Sequence, residues 1–217
     1  MDILPPIRDL IIFMTAAMVL LVTPGPSVLY IVARSVDHGR KAGLASCSGI
    51  ATGALIHVLA AAFGLSALLV SSATAYSIVK YAGAAYLIYM GIQKFGERPS
   101  TEGVKRAQPA SLRHLYAQGV VVEALNPKVA IFFFAFLPQF VNPTRGSVIL
   151  QFLALGMMFT VLGLISDSMW ALTAGSARGW LQRNPTFLRR QNYISGTVYI
   201  GLGLATAASG SRHSARQ

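Results

Sequence analysis

Thr23-Pro24-Gly25-Pro26-Ser27 and Asn126-Pro127-Lys128 each interrupt an apolar stretch long enough to cross a bilayer. Proline carries no N–H, so Pro24 and Pro26 strand the carbonyls of Leu20 and Val22, and Pro127 strands that of Glu123. Unpaired backbone at membrane depth is tolerated only where it is buried in protein or lines a wet cavity. Two such interruptions in corresponding halves of a membrane chain point to a transporter's binding site. Where the helix restarts after Pro26, the N–H groups of Ser27, Val28 and Leu29 lack intrahelical partners and suit a carboxylate. The stranded carbonyls before the break suit an ammonium. A zwitterion such as an amino acid offers both groups. The competing reading is a proline kink that only shapes the helix.

Other polar residues share this depth. Glu123 and Lys128 lie five residues apart, not an ideal spacing for a same-face helical pair, and the Asn126 side chain is placed to rejoin stranded backbone groups. Ionisable groups within a span face the bundle interior or water and are functional candidates by default, although a structural ion pair joining helices would place them there too. Gly156, Thr160, Gly163 and Asp167 follow steps of four, three and four, so they form one helical stripe. The glycines admit a close neighbour, and Asp167 shares that packed face unless it lies near enough to the helix end to be solvated. Desolvation favours the neutral form of a carboxylic acid, the property a proton carrier needs. Asp167 is therefore the first candidate for proton coupling and Glu123 the second. Gly49, Gly53 and His57 repeat every fourth residue, with the glycines read as packing positions and His57 as a hydrogen-bonded structural group. Tyr81, Tyr86 and Tyr89 read as packing or interfacial residues. Cys47 is the only cysteine, which excludes an intrachain disulfide and a cysteine-rich metal cluster; it reads as a small packing residue. No cofactor is expected.

The elements that must carry these groups are membrane spans. Of 217 residues, 54% are hydrophobic and 12% charged, half the charge of an ordinary soluble domain. Runs at 10–33, 44–72, 76–94, 115–140, 148–172 and 193–210 approach the ~20 residues a span needs. The start, Met1 to Asp9, lacks the basic region and cleavage site of a secretory signal, so the first run is expected to stay as a span. The net charge of +11 falls in short loops between apolar runs, which fits membrane orientation rather than nucleic acid. Arg34, Arg40, Lys41, Lys94, Arg98, Lys105, Arg106, Arg113, Arg178, Arg183, Arg189 and Arg190 lie on one side. Arg8, Lys80, Arg145, Arg212 and Arg216 lie on the other. The richer side is cytoplasmic by the positive-inside rule, which puts both termini outside.

The expected fold is therefore all-α, a polytopic single domain over 1–217 with six transmembrane helices. Similar halves of three spans each must be inverted relative to one another. Repeat one covers about 7–95 and repeat two about 115–209, joined by a loop at 94–114 and followed by a polar tail at 210–217. Pro24 and Pro127 are 103 residues apart, as are Gly53 and Gly156, and Gly83-x-x-Tyr86 recurs as Gly196-x-x-Tyr199.

Taken together, these features resemble the lysine exporter (LysE/RhtB) family of bacterial amino-acid exporters over about residues 7 to 208. The resemblance rests on Thr23-Pro24-Gly25-Pro26 and Gly39-Arg40-Lys41-Ala42-Gly43-Leu44, then on the small-residue helix through Gly49 and Gly53. Gly83-Ala84-Ala85-Tyr86-Leu87-Ile88-Tyr89-Met90-Gly91 follows, and Asn126-Pro127-Lys128 leads into Phe132-Phe133-Phe134 and Leu137-Pro138-Gln139-Phe140-Val141. The resemblance implies export of amino acids or their derivatives across the bacterial cytoplasmic membrane, coupled to the proton gradient. Glu123 falls outside the matched motifs.

The residues expected to bind substrate are Thr23, Pro24, Gly25, Pro26, Ser27, Asn126, Pro127 and Lys128, by a secondary exporter whose halves rock around the site. Its partners are a small amino-acid substrate and the lipid bilayer, and the sequence leaves a homo-oligomer open. The rival readings are a channel, a non-transporting scaffold and, least supported, an intramembrane enzyme. Ser27, His57 and Asp167 would make a triad on paper, yet no Gly-x-Ser-x-Gly elbow or His-Glu-x-x-His helix is present. The expectation is that the chain is not an enzyme.

Overall fold

The computed structural model describes residues 3–65, 73–96 and 110–177, together with Thr197, Ile200, Gly201, Leu204 and Ala207. The end of the second expected span at 66–72, the loop at 97–109, the arginines from Arg178 to Arg190, most of the sixth span including Gly196 and Tyr199, and the polar tail lie outside the described residues. Every regular element among the described residues is helical.

Helix α1 (Ile7–Val22) begins behind Pro6, whose carbonyl accepts the Leu10 N–H at 2.9 Å, and stops at Thr23 because Pro24 cannot continue it. Helix α2 (Pro26–His38) restarts with Gly25 as its cap and Pro26 at its first position, where the missing N–H costs nothing. The two helices meet at 48°. Gly39, at φ 87°, ends α2 in a backbone region that residues with a Cβ disfavour, and α3 (Arg40–Ala60) follows directly. This helix runs on into a π-helical turn, Ala61–Leu65.

Helix α4 (Ala73–Gly96) packs against the later π-helical turn Phe132–Phe136. Ser111 caps α5 (Leu112–Ala124) by accepting the His114 N–H at 3.2 Å. The chain then breaks at Leu125 and Asn126. Helix α6 (Pro127–Ile131) resumes with Pro127 at its first position and passes through Phe132–Phe136 into a 3₁₀ turn, Leu137–Phe140. The bend across this break is 44°. Ser147 caps α7 (Val148–Ser176), the uninterrupted helix that carries Asp167.

Among the described residues, two continuous helices, α3 with its π turn and α7, are long and apolar enough to cross a membrane, and the two bent pairs raise the candidate spans to four. These helices reach further than the apolar runs did, because α2 and α3 carry on to polar residues such as Arg34 and Arg40 that hydropathy alone excludes. The outer face of α7 exposes Met157, Val161, Leu164, Ile165, Met169 and Leu172, as a lipid-facing helix must. Tyr81, Tyr86 and Tyr89 on α4 are exposed as well, so they lie on the outer surface rather than in the core.

The interior differs on the two sides of the breaks. On one side, Phe13 of α1, Phe132, Phe133 and Phe136 of the π turn, and Phe152 and Phe159 of α7 form a buried aromatic block. Its rings meet at centroid distances such as 4.9 Å for Phe132 with Phe159, and pairs of this kind contribute roughly 0.5–1.5 kcal/mol each beyond their burial. On the other side α3 and α5 approach through small residues. A Cβ on Gly53 would stand 2.6 Å from the Val120 carbonyl oxygen, and one on Gly119 2.8 Å from that of Ser46. Close backbone approach of this kind joins helices in a membrane, where apolar burial supplies no drive. Cys47 is buried in this region, as expected of a small packing residue.

Candidate functional site at the two helix breaks

The two interruptions meet in space. Lys128, in the first turn of α6, directs its Nζ to the end of α1 and donates to the carbonyls of Leu20 at 3.1 Å and Thr23 at 3.0 Å. Leu20 is the residue whose carbonyl Pro24 strands. The carbonyl that Pro24 strands in the first span is thus satisfied by the ammonium of the second. Lys128 is only 3% exposed, and a buried cation of this kind persists only when such acceptors replace its water.

Asn126 ties the breaks together from the other direction. Its Oδ1 accepts the Lys128 backbone N–H at 3.1 Å, which caps α6. Its Nδ2 donates to Ser27 Oγ at 2.7 Å and to Glu123 Oε2 at 3.1 Å. Ser27 Oγ in turn donates to Glu123 Oε2. The first turn of α2, the end of α5 and the cap of α6 are therefore joined by three side chains, all buried.

The carbonyl of Glu123 is also accounted for. It accepts the Asn126 N–H at 2.9 Å and lies 2.8 Å from His57 Nε2. A carbonyl can only accept, so Nε2 carries the proton in this contact. The His57 ring stacks on Phe133, 6.1 Å between centroids. His57 is a hydrogen-bonded structural group, as the sequence suggested, and its partner is the stranded carbonyl of the second break.

Asp167 lies on the buried stripe of α7, 5% exposed, so it is not solvated at the helix end. A Cβ on Gly156 would stand 2.7 Å from Val58 of α3, and one on Gly163 3.3 Å from Leu21 of α1, so the stripe faces the interior. Thr160 closes on its own helix by donating to the Gly156 carbonyl at 2.9 Å. Asp167 is within electrostatic reach of Glu123, Lys128 and Cys47. Glu123 of α5 and Lys128 of α6 thus lie at the joined breaks, and Asp167 of α7 lies within their electrostatic field.

Two details differ from the sequence reading. The Leu29 N–H is not open to a ligand, because it donates to the Gly25 carbonyl at 2.9 Å; the helix restarts one residue earlier than three free donors would require. The ammonium held at the first break, by the Leu20 and Thr23 carbonyls, is the chain's own Lys128. The backbone carbonyls of Leu20 and Thr23 are site groups that side-chain motifs could not reveal, beyond the rule that a proline strands the fourth carbonyl before it. Among the described residues, no three His, Cys, Asp or Glu side chains gather as a metal site requires.

Residues 18–210 match the family model described as LysE type translocator. An uncharacterized membrane protein of Vibrio cholerae is 30% identical over 91% of this chain and 95% of its own. A homoserine/homoserine lactone efflux protein of Salmonella typhimurium is 29% identical over the same shares. A leucine efflux protein of Enterobacter sp. is 22% identical over 90% of this chain and 93% of its own. No solved structure matches. With the family model spanning both helix breaks and Asp167, the chain belongs to the LysE type translocator family, a membrane protein that moves its cargo rather than an enzyme.

Proposed function

We propose that this protein is a secondary exporter of amino acids or amino-acid derivatives, working by proton antiport and alternating access. The observation that carries the reading is the charge inventory of the site. Among the described residues, two buried carboxyl groups, Glu123 and Asp167, and one buried ammonium, Lys128, act on one another electrostatically. With both acids ionised, these three groups are one positive charge short. A proton or the amine of a substrate supplies that charge, and buried charge is costly enough that the site strongly favours holding one of them. Competition between the two to supply that charge is the elementary requirement of antiport. The names of the efflux relatives support the cargo class.

On this reading Lys128 stands where the substrate amine would go. In this structure it satisfies the Leu20 and Thr23 carbonyls. An incoming amine competes for these acceptors, and the released Lys128 becomes available to the substrate carboxylate. Thr23, Pro24, Gly25, Pro26 and Ser27 supply one wall, and Asn126, Pro127 and Lys128 the other. Asp167 carries the coupled proton, with Glu123 as its electrostatic partner.

The architecture proposed for this cycle is one domain of six helices in two inverted three-helix repeats, with both termini outside. Its support is the 103-residue interval between Pro24 and Pro127, together with the contact between those two breaks. Rocking one repeat against the other would part Ser27 from Asn126 and open the site. The test is counterflow of labelled leucine, homoserine and homoserine lactone in proteoliposomes. Exchange of at least one compound is expected. Folded protein that exchanges none of them rules the proposal out.

A further inference from the structure

Ser27, Tyr30 and Arg34 follow steps of three and four residues, so they share one face of α2. That face meets α5 at two levels. Ser27 reaches Glu123, and one turn further along Tyr30 donates its hydroxyl to the Leu115 carbonyl at 2.7 Å, with Gln118 Oε1 3.3 Å away. Arg34 stands at the next level. Its guanidinium carbon lies over the Tyr30 ring, 5.3 Å from the centroid. Its Nε is buried, and among the described residues nothing accepts a hydrogen bond from it.

We infer that Arg34 is a first docking point for the carboxylate of the outgoing compound, ahead of the site at the helix breaks. This inference rests on the export reading and adds a residue that it does not use. A buried guanidinium donor without an acceptor is costly. Nε together with one terminal nitrogen forms a two-donor fork whose spacing matches a carboxylate. The Tyr30 ring beneath it restrains the plane of that fork.

The location selects the ligand. The Arg34 end of α2 is cytoplasmic in the proposed orientation, where an exported compound arrives. From Ser27 to Arg34 the helix rises about 10 Å, further than one amino acid reaches, so Arg34 and the breaks are successive stations. The acids at the inner station, Glu123 and Asp167, attract an amine and repel a carboxylate. A cation at the outer station therefore holds the carboxylate behind while the amine leads.

The test pairs probes with and without a free carboxylate, offered to inside-out membrane vesicles containing the full chain. Homoserine is set against homoserine lactone, and leucine against leucine amide. R34Q is expected to raise KM for homoserine or leucine about tenfold, with kcat and the KM of the masked partner within about twofold. R34K, which keeps the charge and loses the fork, is expected to recover part of the difference. Equal shifts for both members of a pair, as a lipid-headgroup or purely structural role would give, overturn the inference. An unchanged KM for the carboxylate-bearing probes does so too. If the wild type moves none of the four probes, the export reading itself falls, and this one with it.

Discussion

Asn126 Nδ2 donates to Ser27 Oγ at 2.7 Å across a separation of 99 residues in the chain. The bond joins the cap of one restarted helix to the first turn of the other, so the two interruptions are a single structural unit. A proline kink that only shapes its own helix would need no such link. The finding favours a working site over independent bends.

The link should be measurable as coupling. S27A removes a hydroxyl that both accepts from Asn126 and donates to Glu123. N126A removes that donor and the cap of α6, a loss of roughly 0.5–2 kcal/mol from the cap alone. The double variant is expected to cost less than the sum of the singles by about 0.5–3 kcal/mol, read by unfolding in detergent micelles. Simple additivity would mean that the two breaks do not support each other.

Lys128 gives a second test, because its ammonium and its length can be separated. K128M keeps an unbranched chain and leaves the Leu20 and Thr23 carbonyls without this donor. About 1–3 kcal/mol of stability should be lost. K128Q retains an amide donor without the charge, so it should regain part of that stability while counterflow stays depressed. Equal exchange by K128Q and wild type would exclude a role for the charge in transport.

The positions of these groups were legible in the sequence to different degrees. Proline chemistry identified both breaks, since Pro24 and Pro127 cannot continue a helix whatever surrounds them. The four-residue spacing from Gly49 through His57, and the stripe from Gly156 to Asp167, foretold which faces would be buried. The contact between Lys128 and Leu20 was not legible, because it depends on how two distant helices pack and its acceptor is backbone, which leaves no side-chain signature. The same reason hid the partner of His57. The Leu29 N–H was misjudged because Gly25, rather than a later residue, caps α2. The helix ends were underestimated because Arg34, Arg40 and Arg113 fall outside any hydropathy run although their helices continue through them.

Asp167 separates coupling from binding. Under the proposed cycle, D167N keeps the size of the side chain and removes its proton exchange. Net export driven by a pH gradient should fall by at least an order of magnitude, while exchange between labelled and unlabelled substrate persists. Both activities should be compared in the same proteoliposomes. Gradient-driven export at the wild-type rate would remove Asp167 from the coupling role. Loss of both, with unfolding unchanged, would assign it to substrate binding instead.

The close approach of α3 and α5 holds the site in register. A methyl on Gly53 would stand 2.6 Å from the Val120 carbonyl oxygen and 2.7 Å from the Glu123 Cβ, atoms that cannot swing aside. G53A must therefore push α5 away from α3, at a cost of roughly 1–3 kcal/mol. The displaced segment bears Glu123, whose carbonyl meets His57 and whose carboxylate meets Ser27, so KM should rise together with the loss of stability. Gly64, in the π turn at the end of α3, has nothing within 4 Å of an added Cβ, and G64A should stay within about 0.5 kcal/mol of wild type. Thermal unfolding and counterflow of both variants make the comparison. If G53A were as mild as G64A, the close approach of α3 and α5 would not be what aligns Glu123 with Ser27.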